Sequence, residues 1–401
     1  MTIRPSKRIP LACAAMCVLL PAARAQFSFD SGAVQIHSFF SEGYAKSDDN
    51  NFLTMDTSAG SAIMAQGAVN VSWNARDNLR FSAQAYDHYV GDLGKGQLML
   101  DFALVDYKVK DWLGFRGGKV KTPLGLYNDT QDMTFLYTWA LLPQSVYPMD
   151  LRSMSIAHVG GDIYGNIAFH KNSISYQVYA GTIPDDPRGG YTYGIEDLGV
   201  RMNGGINGRT EGVDVRWNLP VKGLLLGTSY ANNERDFKGF LKSVIPVSYQ
   251  TAEDHVHAYY AEYQVGKFRF DTEYRNTIRD GVIAGLSVPV VNNTNETGWF
   301  AGGSYRLTKR IDVGSYYSDY SITPYQKPQI TAPRTGPGAN FIHDPVVSAR
   351  VKLTRWWDGK IEGHFMDGIG GTSAHGFYLR SNPQGLQPET KMLVLLSEWA
   401  F

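Results

Sequence analysis

Apolar and polar residues alternate along most of this 401-residue chain, in segments separated by turn-forming residues. In one such segment Val213, Val215 and Trp217 share one face of a strand, while Asp214 and Arg216 share the other. Because successive side chains point to opposite faces of a strand, this alternation predicts an all-β fold. Sixteen segments follow the pattern, most of them about ten residues long, which lets a tilted strand cross a membrane. They span residues 34–46, 63–74, 79–90, 98–109, 113–121, 156–170, 174–183, 211–219, 223–232, 255–265, 268–279, 296–307, 311–322, 345–354, 359–367 and 390–401.

The connections between these segments are alternately short and long. Lys110–Trp112 and Gly266–Lys267 are short, whereas Thr122–Ser155 and Gly368–Glu389 are long. A soluble β-sandwich also alternates, but nothing in it requires every long loop to lie at one end. Outer-membrane barrels have short periplasmic turns and long extracellular loops, with apolar side chains facing lipid and polar ones facing the lumen. We therefore predict a transmembrane antiparallel β-barrel of about 16 strands in the outer membrane of a Gram-negative cell.

The N-terminus has the pattern of an export signal. Basic residues within 4–8 precede an apolar stretch at 11–20 and the small-x-small sequence Ala23-Arg24-Ala25. The apolar stretch is too short to be a transmembrane helix. We expect residues 1–25 to be a secretory signal peptide and residues 26–401 to be the barrel.

Both cysteines, Cys13 and Cys17, lie within the predicted signal peptide. The exported chain would therefore contain no disulfide, no thiolate metal ligand and no cysteine nucleophile. The whole chain carries 38 basic and 38 acidic residues, and a nucleic-acid-binding protein needs a clustered basic excess instead. We expect no nucleic-acid partner, no metal and no cofactor.

The last strand ends in an aromatic residue. Counting back by twos from Phe401 gives Trp399, Ser397, Leu395 and Leu393, a face that is apolar at every position but one. This pattern resembles the C-terminal signal of Gram-negative outer-membrane β-barrels. The resemblance implies that the barrel-assembly machinery reads Trp399 and Phe401, and that the last strand closes against the first.

The fifth segment and the connection after it are similar to one known family. The sequence from Phe115 to Asn128 is basic and then contains Pro123, Gly125 and Tyr127 in a Pro-x-Gly-x-Tyr turn. It resembles the porin-like family that includes phosphate-selective porins. The resemblance implies a pore, and similarity to sixteen-stranded porins in general implies a homotrimer that contacts outer-membrane lipid and lipopolysaccharide.

The third long connection, residues 122–155, is richer in apolar and aromatic residues than a loop in water should be. In sixteen-stranded porins the third loop folds into the lumen and narrows it. We expect the same here, so that 122–155 forms a constriction. A loop at a trimer interface and an ordinary surface cap are the alternatives.

The charged residues around this connection are candidates for setting ion selectivity. A strict alternation separates Arg116 from Lys119 and Lys121, but a β-bulge at Gly117-Gly118 would bring all three into the lumen. Opposed charges across a narrow aperture create a transverse field that sets ion preference. The predicted constriction residues are Arg116, Lys119, Lys121, Tyr127, Asp129 and Asp132.

Further lumen-facing residues follow from the alternation. Each basic residue among them could act on permeating ions or could be neutralised by a neighbouring acid. The set is Arg216, Arg269, Asp271, Glu273, Arg275, Arg306, Arg350 and Lys352.

Together these features predict a water-filled channel for passive diffusion of small hydrophilic solutes and ions, with mild anion preference. One alternative is a closed barrel that acts in adhesion or binding. Another is an outer-membrane lipid hydrolase, but the chain contains no Gly-x-Ser-x-Gly and no His-Glu-x-x-His motif. We therefore expect no enzymatic activity.

Overall fold

A computed structural model describes residues 27–29, 33–184, 186–286, 290–324, 338–370 and 375–401. Sixteen long antiparallel strands form one closed β-barrel, as the alternation predicted. The barrel closes where β18 (Glu389–Ala400) pairs with β2 (Val34–Ser47), and each remaining strand pairs with its neighbours in the sequence. The predicted signal peptide lies outside the described residues.

The long strands overlap all sixteen predicted segments. After β2 they are β3 (Ser61–Arg76), β4 (Leu79–Val90), β5 (Met99–Lys110), β6 (Leu113–Lys121), β7 (Ala157–Phe169), β8 (Asn172–Ile183), β10 (Asn207–Asn218), β11 (Leu224–Leu241), β12 (Ile245–Val265), β13 (Phe268–Ala284), β14 (Val290–Arg306), β15 (Ile311–Pro324), β16 (Phe341–Lys352), β17 (Trp357–Gly368) and β18.

Short elements complete the chain. A strand of three residues, β1 (Phe27–Phe29), pairs with β2, and another, β9 (Val200–Met202), pairs with β11. Helix α1 (Arg152–Ser155) is a single turn, and α2 (Gly190–Asp197) is the longer helix. Within the described residues no helix is long and apolar enough to cross a membrane.

Two of the predicted long loops are largely strand. The predicted loops 233–254 and 280–295 lie mostly within β11 to β14, whose antiparallel pairing continues past the predicted strand ends. The predicted ends of these four strands were wrong because the prediction counted a residue as strand only where alternation gave an apolar outer face. Where a hairpin extends beyond the lipid, its hydrogen-bonded ladder no longer needs that face.

The two faces of the wall differ as the membrane interpretation requires. On adjacent strands Val347 and Ile361 face outward with 54% and 50% of their surface exposed. Glu362, which follows Ile361, points inward and is buried, as are Asp271 and Glu273. Apolar side chains facing outward and acidic ones facing inward are the arrangement of a barrel in lipid.

The C-terminal strand follows the same rule. Leu393 and Leu395 are exposed on the outer face, whereas Val394 and Leu396 are buried inside. The N–H of Phe401 donates to the carbonyl oxygen of Ser38 at 2.7 Å, so the hydrogen bonding with β2 continues to the last residue. The predicted closure of the last strand against the first is confirmed.

Candidate channel constriction

Residues 122–155, called the inserted segment below, connect β6 to β7 without forming a strand. Pro123 cannot donate a backbone hydrogen bond, so it ends the ladder of β6, and the segment continues through three 3-10 turns and α1. Buried backbone groups need hydrogen-bond partners. The inner wall of the barrel supplies many of these partners.

One set of partners lies on β17. The carboxylate of Glu362 accepts the N–H groups of Ala140 and Leu141 at 2.8 and 2.9 Å. The ammonium of Lys360, two residues earlier, donates to the carbonyl oxygens of Thr134 and Trp139, each at 2.7 Å. Both side chains are fully buried, so β17 holds the middle of the inserted segment through charged hydrogen bonds.

A second set lies on β13. The carboxylate of Glu273 accepts the N–H of Leu126 at 2.8 Å and also the hydroxyl of Tyr147. Gly125 precedes Leu126 with φ +74°, and a Cβ there would lie 2.1 Å from a carboxylate oxygen of Glu273. Only glycine therefore lets the backbone come this close to the wall.

The aromatic and apolar residues of the inserted segment pack between these anchors. They form a buried cluster with side chains from β12, β14, β15 and β16, and this packing accounts for the unusual composition of the connection. The cluster contains Leu126, Tyr127, Tyr137, Trp139, Leu142, Val146, Tyr147, Tyr260, Phe300, Tyr316 and Val346. The contacts place the segment against the inner wall.

The structure separates the three predicted basic residues. Arg116 points inward, with its Nε 3.3 Å from an oxygen of Asp106. The ladders through Gly117 and Gly118 keep continuous register, so the predicted bulge is not formed. Lys119 therefore stays on the outer face, where its pairing partner Val159 is 49% exposed. The prediction that Lys119 lines the lumen was wrong for this reason.

Lys121 lies at the end of β6 and reaches inward. Its ammonium is 2.8 Å from Asp132, whose side chain is fully buried, and Arg152 is 3.5 Å from the other oxygen of Asp132. Burial alone would raise the pKa of Asp132, but the neighbouring Lys121 and Arg152 lower it below its ordinary value. The prediction that Lys121 and Asp132 face each other across an aperture was wrong, because the two side chains are in direct contact.

The other predicted residues of the constriction take different positions. Asp129 is partly exposed, and its Oδ1 lies 3.9 Å from a nitrogen of Arg216. Tyr127 is buried in the aromatic cluster, where its hydroxyl accepts a hydrogen bond from Arg269 at 3.3 Å. The sequence analysis missed Arg152, which binds Asp101 at 2.8 Å. Arg152 is the only basic residue of the connection 122–155, and that was the available signal.

The predicted lumen arginines are paired with acids. Most pairs join residues two apart on one strand, or residues of adjacent strands, which brings both side chains to the same face. The pairs are Arg216 with Asp214, Arg269 with Asp271, Arg275 with Glu273, Arg306 with Asp312 and Arg350 with Asp358. Lys352 borders a small cavity beside Arg350.

A chamber of about 730 Å³ remains beside the inserted segment. Strands β2 to β6 form much of its wall, and it reaches the short-turn end of the barrel near Trp356 and Phe401. Arg80 and Arg116 line it, as does Asp129 of the inserted segment. These charged side chains lie beside apolar ones such as Phe39 and Phe102, so the chamber has both polar and apolar walls.

At the opposite end the outer loops cover the inserted segment. Phe52, Leu93 and Phe377 belong to one buried cluster with Leu141 of the segment. Arg380 ties the last loop to helix α2 through Asp197 at 2.9 Å. The long-loop side is therefore tightly packed.

Thr122, His158 and Asp162 are hydrogen-bonded in the sequence of hydroxyl, imidazole and carboxylate that a catalytic triad has. The hydroxyl of Thr122 lies 3.0 Å from Nδ1 of His158, and Nε2 of His158 lies 2.8 Å from Asp162. All three residues are buried, and the group ties the end of β6 to β7. No group of three or more His, Cys, Asp or Glu side chains suited to a metal occurs in the described part of the chain.

No protein-family model matches the chain, and no curated protein matches it by sequence. Solved structures do resemble it. OmpT of Vibrio cholerae has a TM-score of 0.56 at 12% identity, over 94% of this chain and 100% of that one. The outer membrane channel DcaP of Acinetobacter baumannii gives 0.54 at 9% identity, over 94% of this chain and 99% of that one.

An anion-selective porin from Comamonas acidovorans gives a TM-score of 0.52 at 11% identity and covers 92% of this chain and 99% of that one. Identities this low show the fold and not the solute. The chain is accordingly an integral outer-membrane β-barrel with a porin-like fold.

Proposed function

We propose that this protein is an outer-membrane porin, a water-filled channel for passive diffusion of small hydrophilic solutes and ions. The observation that carries the proposal is the inserted segment, residues 122–155, bound inside the barrel with a chamber left beside it that Arg80, Arg116 and Asp129 line. Such a segment narrows the lumen without filling it. The resemblance of residues 115–128 to the phosphate-selective-porin-like family supports the same function.

The proposal includes a mild preference for anions, but the residues that would produce it differ from those predicted from the sequence. Lys119 faces outward, and Lys121 is neutralised by Asp132. Arg80 and Arg116 share the single carboxylate of Asp106, so this cluster keeps a net positive charge on the chamber wall. A positive charge near the permeation path attracts anions.

We further propose that residues 1–25 are removed on export, that residues 26–401 form the mature barrel, and that Trp399 and Phe401 are read by the assembly machinery. A homotrimer in contact with outer-membrane lipid and lipopolysaccharide fits this function, and one solved in-vitro folded OmpT of Vibrio cholerae is described as a trimer form. We also propose that the protein has no enzymatic activity, since its sequence contains no Gly-x-Ser-x-Gly and no His-Glu-x-x-His motif.

The experiment is single-channel recording of purified protein in planar bilayers, followed by reversal potentials in a potassium chloride gradient. The proposal expects discrete conductance steps and a reversal potential on the anion-selective side. Arg116→Glu should shift that potential towards cations, whereas Lys119→Glu, the matched outer-face variant, should leave it unchanged. Absence of conductance would overturn the channel, and a wild-type potential in Arg116→Glu would overturn the assignment of selectivity.

A closed binding barrel is a second candidate, favoured by the apolar packing of the inserted segment and the outer loops. Swelling of liposomes in sugars of increasing size separates the two. A pore admits the smaller sugars and excludes the larger ones, whereas a closed barrel admits none.

A further inference from the structure

Arg80 and Arg116 approach the same carboxylate oxygen. Arg80 Nη2 and Arg116 Nε lie 2.8 and 3.3 Å from Oδ2 of Asp106, and the hydroxyl of Tyr164 donates to Oδ1. Two guanidinium groups and one carboxylate carry one net positive charge. Nearby Asp162 already accepts hydrogen bonds from His158 and Gln177, so it faces its own partners.

The guanidinium groups keep donors that Asp106 does not use. Arg116 contacts Asp106 through Nε, and one terminal nitrogen lies 3.4 Å from Gln177. The side chain of Arg80 is 46% exposed although it lies inside the barrel wall. An arginine has five N–H donors in a planar fork that matches a carboxylate. The cluster can therefore bind a second carboxylate from the chamber.

The same chamber presents apolar surface, which a pore for inorganic ions does not need. Phe39 and Phe135 lie with ring centroids 5.9 Å apart, one from the wall and one from the inserted segment. Phe102, Met133 and Trp356 also line the cavity. Aromatic and thioether groups of this kind pack well against the ring of a ligand.

Resting on the proposed channel function, we propose that the chamber binds small aromatic monocarboxylates as they pass through the barrel. The carboxylate would bind the free N–H groups of Arg80 and Arg116, and the ring would lie against Phe39 and Phe135. A volume of about 730 Å³ falls within the usual range for small-molecule sites. Asp129 also lines the chamber, and its charge disfavours a second carboxylate on the solute.

Isothermal titration of the detergent-folded protein with benzoate tests the proposal without requiring conductance. Benzoate should bind at least about tenfold more tightly than acetate, which has the same charge and no ring. Arg80→Gln combined with Arg116→Gln should weaken benzoate binding at least about tenfold, whereas Arg310→Gln, in an exposed periplasmic-type turn, should not. Equal binding of benzoate and acetate, or wild-type binding by the double variant, would overturn the proposal.

A second variant and a second measurement distinguish failure of the proposed binding site from failure of the proposed channel. Phe135→Ser keeps the charges, so it should weaken binding of benzoate and leave acetate unchanged. In planar bilayers benzoate should reduce the chloride current reversibly, at lower concentration than acetate. A conducting channel that shows no preference for benzoate overturns only the binding site, whereas a barrel that binds benzoate but never conducts overturns the porin.

Discussion

The strongest single test of the inserted segment is Glu362→Gln. The carboxylate of Glu362 accepts three hydrogen bonds, from the N–H groups of Ala140 and Leu141 and from Nε2 of His364 at 3.1 Å. Glutamine has the same shape but offers one accepting oxygen and one NH₂ group. At least one backbone N–H of the segment then loses its acceptor inside the barrel.

The size of the effect follows from these contacts. A hydrogen bond to a charged group contributes about 1.5–3 kcal/mol, and every 1.4 kcal/mol or so changes an equilibrium tenfold. Loss of one such bond should increase the fraction of molecules with a released segment roughly 10- to 150-fold. The barrel wall should stay intact, because its strand-to-strand hydrogen bonds do not involve this side chain.

Single-channel recording measures this release. We expect Glu362→Gln to enter a larger-conductance state more often than the wild type, with faster protease cleavage within residues 122–155. Glu389→Gln, at an exposed position where β18 begins, is the matched control and should behave like the wild type. If Glu362→Gln shows the wild-type frequency of large openings and the wild-type cleavage rate, β17 does not anchor the segment.

Three further predictions address other parts of the molecule. Gly125→Ala should reduce the free energy that holds the segment against the wall by about 1–2 kcal/mol or more, since alanine is strained at positive φ and its Cβ would meet Glu273. Thermal unfolding and channel noise measure this change. The pKa of Asp132 is lowered in the fold. Ionised Asp132 therefore stabilises the bound segment fully above the ordinary carboxyl pKa, and this stabilisation is lost as pH falls through the lowered value. Protease cleavage of the segment should rise at that low pH, and Asp132→Asn should remove this acid dependence. Deleting Trp399–Phe401 should reduce membrane insertion before it alters conductance, as measured by the heat-modifiable migration of the folded barrel.

Each of these predictions has an outcome that contradicts it. Unchanged stability of Gly125→Ala would show that the backbone can move away from the wall. An acid response that persists in Asp132→Asn would assign it to other carboxylates. Normal insertion of the truncated chain would show that the terminal aromatics are not an assembly signal.

The strand pattern and the faces of the wall could be read from the sequence. Alternation is a local property, because each side chain of a strand points opposite to the one before it. Leu395 outside and Val394 inside therefore follow from their positions alone. The alternation of short and long connections then selected a membrane barrel over a soluble sandwich.

The partners of the charged residues could not be read in the same way. Lys121 and Asp132 both stood out as charged residues of the constriction, but their direct contact depends on how the inserted segment crosses the lumen. Strict alternation already placed Lys119 outside, and it was the supposed bulge that moved it inward. A bulge depends on the register of two neighbouring strands and not on the glycines alone.

The sequence by itself determined the class of fold, the number of strands and the face of residues within regularly alternating strands, because these depend on periodicity within a strand. Only the tertiary structure decided which charges remain free to act on a solute. Asp106 comes from β5, and the two arginines that share it come from β4 and β6. Residues of three consecutive strands meet there through the register of β4, β5 and β6, and a one-residue slip would turn these side chains to the other face.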